Sequence, residues 1–410
     1  MSRNGRFTHF VEDIPRDPPQ RDDDTPLGEW DAGDDEGVIP PREWLLGNAF
    51  CRGFVSSLLG EGGSGKTALR LVQYLAVVTG RPLSEEYVFT RSKVMLLSLE
   101  DSRDELRRRL RAACLHYGIA QSELKGRLFV RTASADLGKI MMVDPAKGAL
   151  MLGKLAGKIE RAIRERGIAL VALDPFVKVH SVGESDNSAI DQVMQVLADM
   201  AIALNVAVDT PHHISKGPAD PGNANRGRGA SSMKDAARLV FTLTRMSPEE
   251  AQAFGVSEAQ RQFLVRLDSG KVNIAPPMTE AKWFRLVSVS LDNGTDLYPS
   301  GDQVQTVEPW TPPQTFSGIS NGTLNEILSE IDTGLPDGNR FTDAPNVRDR
   351  AAWRVVEKHC PTKSEGTCRE IIKTWLRSGL LFRRDYTNPV THKRVKGLVV
   401  DNEKRPSKGD

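Results

Sequence analysis

The sequence is short of several things, and each shortage closes off a class of explanation. Among 410 residues there are four cysteines, Cys51, Cys114, Cys360 and Cys368, and none stands in a Cys-x-x-Cys pair. That usage suggests neither a disulfide framework nor a zinc site. No apolar run approaches the roughly 20 residues that span a bilayer, so no membrane association is expected. The opening stretch, MSRNGRFTHFVEDIPRDPPQ, lacks the apolar centre of a secretory signal, which makes the cytoplasm the expected location. No internal repeat is visible. Net charge is also nearly absent, at +1, but that sum hides an asymmetry. Residues 1–40 hold four Arg against eleven Asp or Glu, while residues 345–410 hold sixteen Lys or Arg against eight acids. A basic tail of this kind points to nucleic acid at that end.

What is present begins with Gly60-Glu61-Gly62-Gly63-Ser64-Gly65-Lys66-Thr67, followed by Ala68. It satisfies G-x-x-x-x-G-K-[ST] in full. Phe54, Val55, Leu58 and Leu59 before it suit a buried strand, and a helical pattern follows, which is the context the motif needs. The glycines let the backbone wrap a phosphate chain with its N–H groups pointing inward, and the helix N-terminus adds partial positive charge. Lys66 is placed to reach the β- and γ-phosphates of ATP, and the Thr67 hydroxyl to hold Mg²⁺.

Composition then divides the chain. Residues 1–40 are rich in Pro, Asp and Gly and poor in large apolar groups, the composition of a flexible acidic tail. From 41 to 291, short apolar runs alternate with amphipathic stretches, the signature of an α/β unit built on a mostly parallel central sheet. Strands are predicted at Val94–Leu99, Leu128–Val130, Ile168–Leu173 and Val206–Val208. Helices are predicted over about 65–79, 103–116, 149–166 and 188–204, the second opened by a capping box at Ser102-Arg103-Asp104-Glu105. Apolar runs near 237–243, 262–267 and 284–291 would extend the sheet. Residues 292–320 have linker composition. Helical patterns at about 322–332, 348–359 and 364–378, then two strand-like runs, give 321–402 the element order of a winged helix, and 403–410 close the chain.

The carboxylates and histidines follow from the strand ends. Asp174 closes a buried apolar strand, where ligands collect in open α/β sheets, and with the phosphate loop it makes a Walker B site for Mg²⁺. Glu100 also ends a strand and can act as general base toward an attacking water; capping is the reading for neighbouring Asp101. The strand near 206–210 leads into Pro211-His212-His213, a position from which a side chain can sense the γ-phosphate. His212 is the first choice for that sensor and His213 the second. Loop 214–230, with Lys216, Arg226 and Arg228, is long and polar enough to contact a single strand of DNA. In the tail module, Lys373 and Arg377 on a helix and Arg383, Arg384, Lys393 and Arg394 on the ribbon are candidate phosphate contacts.

In this order, GEGGSGKT, LSLED, ALVALDP, TPHHISKG, RGRGASSMKDAARLV and RLDSGKVN resemble the RecA-like ATPases of the RepA hexameric replicative helicase family. The resemblance covers about residues 45–290. It implies a RecA-like P-loop fold, a homo-oligomeric, hexameric ring with ATP at each interface, and single-stranded DNA at the pore. It implies that Glu100 is the catalytic glutamate, Asp174 the Walker B aspartate, the histidine pair the sensor and Arg238 an arginine finger reaching into a neighbour. Lys271 is similar to a second trans-acting cation of related ring helicases. The acidic head and basic tail are additions to the family core. They keep a second reading open, a DNA-binding ATPase adaptor or regulator that uses ATP as an assembly switch without unwinding.

Overall fold

The structure is a computed structural model of the chain. It describes residues 29–405 except 35–36, 145, 147, 185, 215–219, 224–235, 255, 313–318, 320, 345 and 378. The chain divides into two compact units, Met1–Arg245 with Phe263–Thr311, and Met246–Gln262 with Pro312–Asp410. No helix among the described residues is long and apolar enough to cross a membrane.

The first unit opens with a small antiparallel pair, β1 (Trp44–Leu46) and β2 (Phe50–Cys51). Next come β3 (Val55–Gly60), α1 (Lys66–Thr79), β4 (Val94–Ser98), α2 (Arg103–Tyr117), α3 (Gln121–Leu124) and β5 (Leu128–Thr132). A short antiparallel pair, β6 (Met141–Val143) and β7 (Leu150–Leu152), precedes α4 (Lys154–Arg166). The chain continues through β8 (Leu170–Asp174), α5 (Asn187–Leu204), β9 (Ala207–Asp209), β10 (His212–His213) and β11 (Leu239–Arg245). After α6 (Pro248–Phe254) and α7 (Glu258–Arg261), which belong to the second unit, β12 (Leu264–Val272), β13 (Lys282–Ser290) and β14 (Gln303–Pro309) complete the first.

These strands form one sheet in the order β14-β13-β12-β11-β3-β9-β8-β4-β5, with β10 added alongside β3. From β11 to β5 every pairing is parallel, and β12 to β14 extend the sheet antiparallel. The central strands read as unbroken apolar runs because both faces are covered. Along β4, Val94 and Leu96 join one core with Leu69, Val72 and Leu75 of α1, while Met95 and Leu97 join a second core with Ile159 of α4 and Val193 and Leu197 of α5. The period of two in the strand thus serves two helical layers.

Three expectations change. The helix foreseen from 149 starts at Lys154, because 150–152 pair with 141–143. Gly153, at the joint, lies so close to the Lys139 carbonyl that a Cβ there would sit 2.1 Å from its oxygen. The linker foreseen over 292–320 contains β14, which pairs with β13 at seven consecutive positions. The helix foreseen from 348 starts at Trp353, since Thr342 and Ala351 form a bridge and the Ala352 N–H donates to the Thr342 carbonyl instead of entering a helix.

The second unit carries α8 (Asn321–Thr333), α9 (Trp353–His359), α10 (Glu365–Arg377) and the antiparallel ribbon β15 (Leu381–Thr387) with β16 (Arg394–Val400). It has its own core of Ile327, Leu328, Ile331, Val356, Ile371, Ile372, Leu381 and Leu398.

Candidate active site

The phosphate loop occupies the five residues between the end of β3 and the first residue of α1. Its path is one only glycine follows easily: Gly63 and Gly65 have φ of +72° and +92°. A Cβ on Gly65 would also meet Leu286 Cδ2 of β13 at 2.7 Å, and one on Gly60 would meet the Leu243 carbonyl oxygen at 2.8 Å. Gly62 and Gly63 are exposed at the crest, Glu61 is half-buried, and Ala68 is buried in the first turn of α1. Ser64 Oγ is buried and has no hydrogen-bond partner among the described residues.

Lys66 is 6% exposed. Its Nζ donates to the carbonyls of Gly60 and Glu61, both at 2.7 Å, and lies 3.1 Å from His213 Nδ1. It has no ion pair with a carboxylate among the described residues, and burial pushes its ammonium down to about 8 against the pull of Asp174, Glu100 and Glu61. Thr67 Oγ1 donates to Asp174 Oδ2 at 3.1 Å. Burial pushes the Asp174 carboxyl up to about 6, with the Thr67 hydrogen bond opposing.

The strand order explains how the remaining groups arrive. β9 lies between β3 and β8, so the phosphate loop and Asp174 are one strand apart, and β4 lies on the far side of β8. Ser98 of β4 is in register with Asp174, which carries Glu100 just past the strand end. β9 pairs with β3 at Val55 and Ser56, and past its end the chain rejoins β3 in the same register as β10, His212 opposite Leu59 and His213 opposite Gly60. Successive residues of a strand face opposite ways. His213 therefore stands beside Lys66, with Nε2 3.7 Å from Glu100 Oε2, while His212 turns inward. His212 is 4% exposed and meets Phe176 edge-on, with centroids 6.0 Å apart. Of the first choice His212 and the second choice His213, the register brings His213 to Lys66 and Glu100, while His212 packs beside Phe176. Burial and the Lys66 charge hold the His213 imidazolium below its ordinary range, so the neutral ring is favoured. Asp101, read as a cap, instead pairs with Arg109 at 3.0 Å, and Ser102 caps α2 by accepting from the Glu105 N–H.

Arg238 and Lys271 lie elsewhere in the unit. Leu239 pairs with Ser56 and Leu243 with Gly60, so Arg238, which is exposed, sits at the end of the sheet opposite the phosphate loop. Lys271 pairs with Val240 and is beside it. Along the strands Arg238 is five residues, about 17 Å, and Lys271, level with Val240, three residues, about 10 Å, from Leu243 at the loop level. One residue at the loop escaped the sequence reading: Arg245, at the far end of β11, donates from Nη2 to the Gly63 carbonyl at 2.7 Å. No motif marks it; only the register of β11 on β3 places it there.

The donor set fits a nucleotide with a divalent cation. A buried lysine held by carbonyls and an imidazole, a buried serine hydroxyl with no hydrogen-bond partner among the described residues, and Gly60 and Gly65, where a Cβ would clash, make a cradle for phosphate oxygens. Thr67 and Asp174 offer two hard oxygen ligands of the kind Mg²⁺ takes. The comparison with known families bears directly on this arrangement. Residues 17–219, which include Lys66, Glu100, Asp174 and His213, match the model of the family described as AAA domain. The match supports reading this part of the chain as a P-loop ATPase of the AAA type. The mostly parallel sheet fits a P-loop NTPase, and the match supports nucleotide binding.

Of the foreseen DNA contacts, Lys216, Arg226 and Arg228 lie outside the described residues, as does the Arg377 side chain. In the second unit Lys373 pairs with Glu370 at 2.6 Å, and Arg383 with Asp343 at 2.6 Å. Arg384, Lys393 and Arg394 are exposed on the ribbon and have no ion pair among the described residues.

Proposed function

We propose that the chain is a DNA-acting motor ATPase of the ring-forming, RepA-like kind, hydrolysing ATP at interfaces between its own copies. The observation that carries this reading is the row Lys66, His213, Glu100 beside the phosphate loop, reached from three different strands. The triphosphate of ATP is cradled by the loop N–H groups and Lys66. Thr67 and Asp174 would hold Mg²⁺, which would supply neutralisation of phosphate charge. The Glu100 carboxylate takes a proton from water as that water attacks the γ-phosphorus, and the bond to the β,γ-bridging oxygen breaks to leave ADP and phosphate. His213, hydrogen-bonded to Lys66 on one ring nitrogen and facing Glu100 with the other, registers whether the γ-phosphate is present. Residue 214 onward would carry that signal to the loop bearing Lys216, Arg226 and Arg228.

Arg238 and Lys271 support the ring. They are too far from their own phosphate loop to act there, so a role at the nucleotide requires a second copy. Within the second unit, α8, α9 and α10 followed by the ribbon have the element order of a winged helix, and the basic ribbon suits the phosphates of DNA. Hydrolysis rates with and without single-stranded DNA, followed by strand displacement from a forked duplex, test the reading. DNA-stimulated hydrolysis with displacement is the expected result. Stimulated hydrolysis with no displacement in any oligomer would replace the motor with an ATP-switched DNA adaptor.

A further inference from the structure

Asp209 closes β9, is 0% exposed, and has no part in the hydrolysis just described. Three donors converge on its carboxylate. Ser56 Oγ and Arg70 Nη2 both donate to Oδ1 at 2.9 Å, and the Tyr74 hydroxyl donates to Oδ2 at 2.6 Å. Burial and the same carboxylate hold the Tyr74 phenol protonated, well above its ordinary range. Arg70, 1% exposed, donates its other arm to Gln73 Oε1 at 2.7 Å and rests 5.0 Å from the centre of the Phe50 ring. A buried ion pair is a poor source of stability, because desolvation offsets most of the attraction and apolar side chains fill such a space as well. Its placement suggests another use.

The donors come from the elements that build the active site. Ser56 lies on β3, which leads into the phosphate loop. Arg70 and Tyr74 lie on successive turns of α1, whose first turn carries Lys66 and Thr67. Asp209 begins the segment Asp209-Thr210-Pro211 that delivers β10 and His213. Thr210 is fastened as well: its N–H and Oγ1 donate to the Ser56 carbonyl at 2.9 and 3.0 Å, and Ser57 Oγ donates to its carbonyl at 2.7 Å.

We propose that Asp209 is a positioning residue that locks the phosphate-loop helix to the strand bearing His213, through Arg70 and Tyr74, so that the helix and the sensor move together. This inference rests on the reading of His213 as a group of the active site. A misplacement of a catalytic group by about 1 Å can cost on the order of a hundredfold in rate, so loosening the lock should be visible in turnover.

Tyr74→Phe removes one hydroxyl from the lock and keeps the ring. Steady-state ATP hydrolysis is measured for the wild type, Tyr74→Phe, His213→Ala and the double variant, with the melting temperature of each. Tyr74→Phe should lower kcat roughly tenfold or more with KM nearly unchanged. In the His213→Ala background the same change should have almost no effect on kcat. Asp209→Asn combined with Arg70→Met, which removes both charges together, should give the same pattern in a folded protein. Full kcat in Tyr74→Phe and in the paired variant would overturn the proposal, and so would losses that multiply independently of His213. A His213→Ala protein with wild-type kcat would instead overturn the reading of His213 and the inference with it.

Discussion

Lys66 is held against the Gly60 and Glu61 carbonyls at a cost. Its folded value of about 8 lies below the ordinary 10.5, so folding favours the neutral amine. That contribution is stabilising above the ordinary value and is lost as pH falls through about 8, which leaves the ammonium as an unfavourable buried charge at neutral pH. Lys66→Met should therefore abolish hydrolysis and yet raise the melting temperature of the nucleotide-free protein, by about 2–4 °C for each kcal/mol relieved. Asp174 behaves in the opposite sense. Its folded value of about 6 lies above the ordinary 3.8, so the protonated form is favoured in the fold and that advantage disappears as pH rises through about 6. A cation requires the carboxylate form. Mg²⁺-dependent nucleotide affinity, followed by titration calorimetry from about pH 5 to pH 7.5, should rise through about 6 and then level, with no such step in Asp174→Asn.

The same accounting of paired and unpaired charge applies to whole elements. On α10, Lys373 is already paired with Glu370, and Arg369 pairs with Glu365 at 2.8 Å while lying 4.9 Å from the Trp353 ring centre. On the ribbon, Arg384, Lys393 and Arg394 have no ion pair among the described residues, which under the proposed function leaves them for DNA phosphates. Fluorescence anisotropy with DNA at several salt concentrations should show the slope of log affinity against log salt falling by about one for Arg384→Ala or Lys393→Ala, and hardly changing for Lys373→Ala. The elements also show what a sequence can and cannot disclose. β4, β8 and β9 were legible because burial on both faces leaves them continuously apolar. β14 was not, because Gln303, Gln305 and Glu308 alternate with its buried residues and the flanks are rich in Pro and Gly. Glu100, Asp174 and the phosphate loop are strand-end groups that a motif marks. The choice between His212 and His213 depends on the phase of a two-residue strand against β3, and the place of Arg245 on the register of β11; neither is written in local composition.

For the molecule as a whole, the arrangement of β11 and β12 sets the question. Arg238 and Lys271 sit together at the end of the sheet away from the phosphate loop, so each copy would present a complete cradle at one end and two cations at the other. A head-to-tail ring brings one to the other, and an arginine supplied in this way is worth roughly 10³–10⁵ in rate where NTPases use one. Subunit mixing tests this directly. Lys66→Ala spoils a copy's own site but leaves its Arg238 intact, and Arg238→Ala does the reverse. Mixed in equal amounts with ATP and single-stranded DNA, two nearly inactive proteins should regain a substantial fraction of wild-type hydrolysis, because some interfaces then pair an intact cradle with an intact arginine. A mixture no more active than the two proteins measured apart would contradict a site shared between copies.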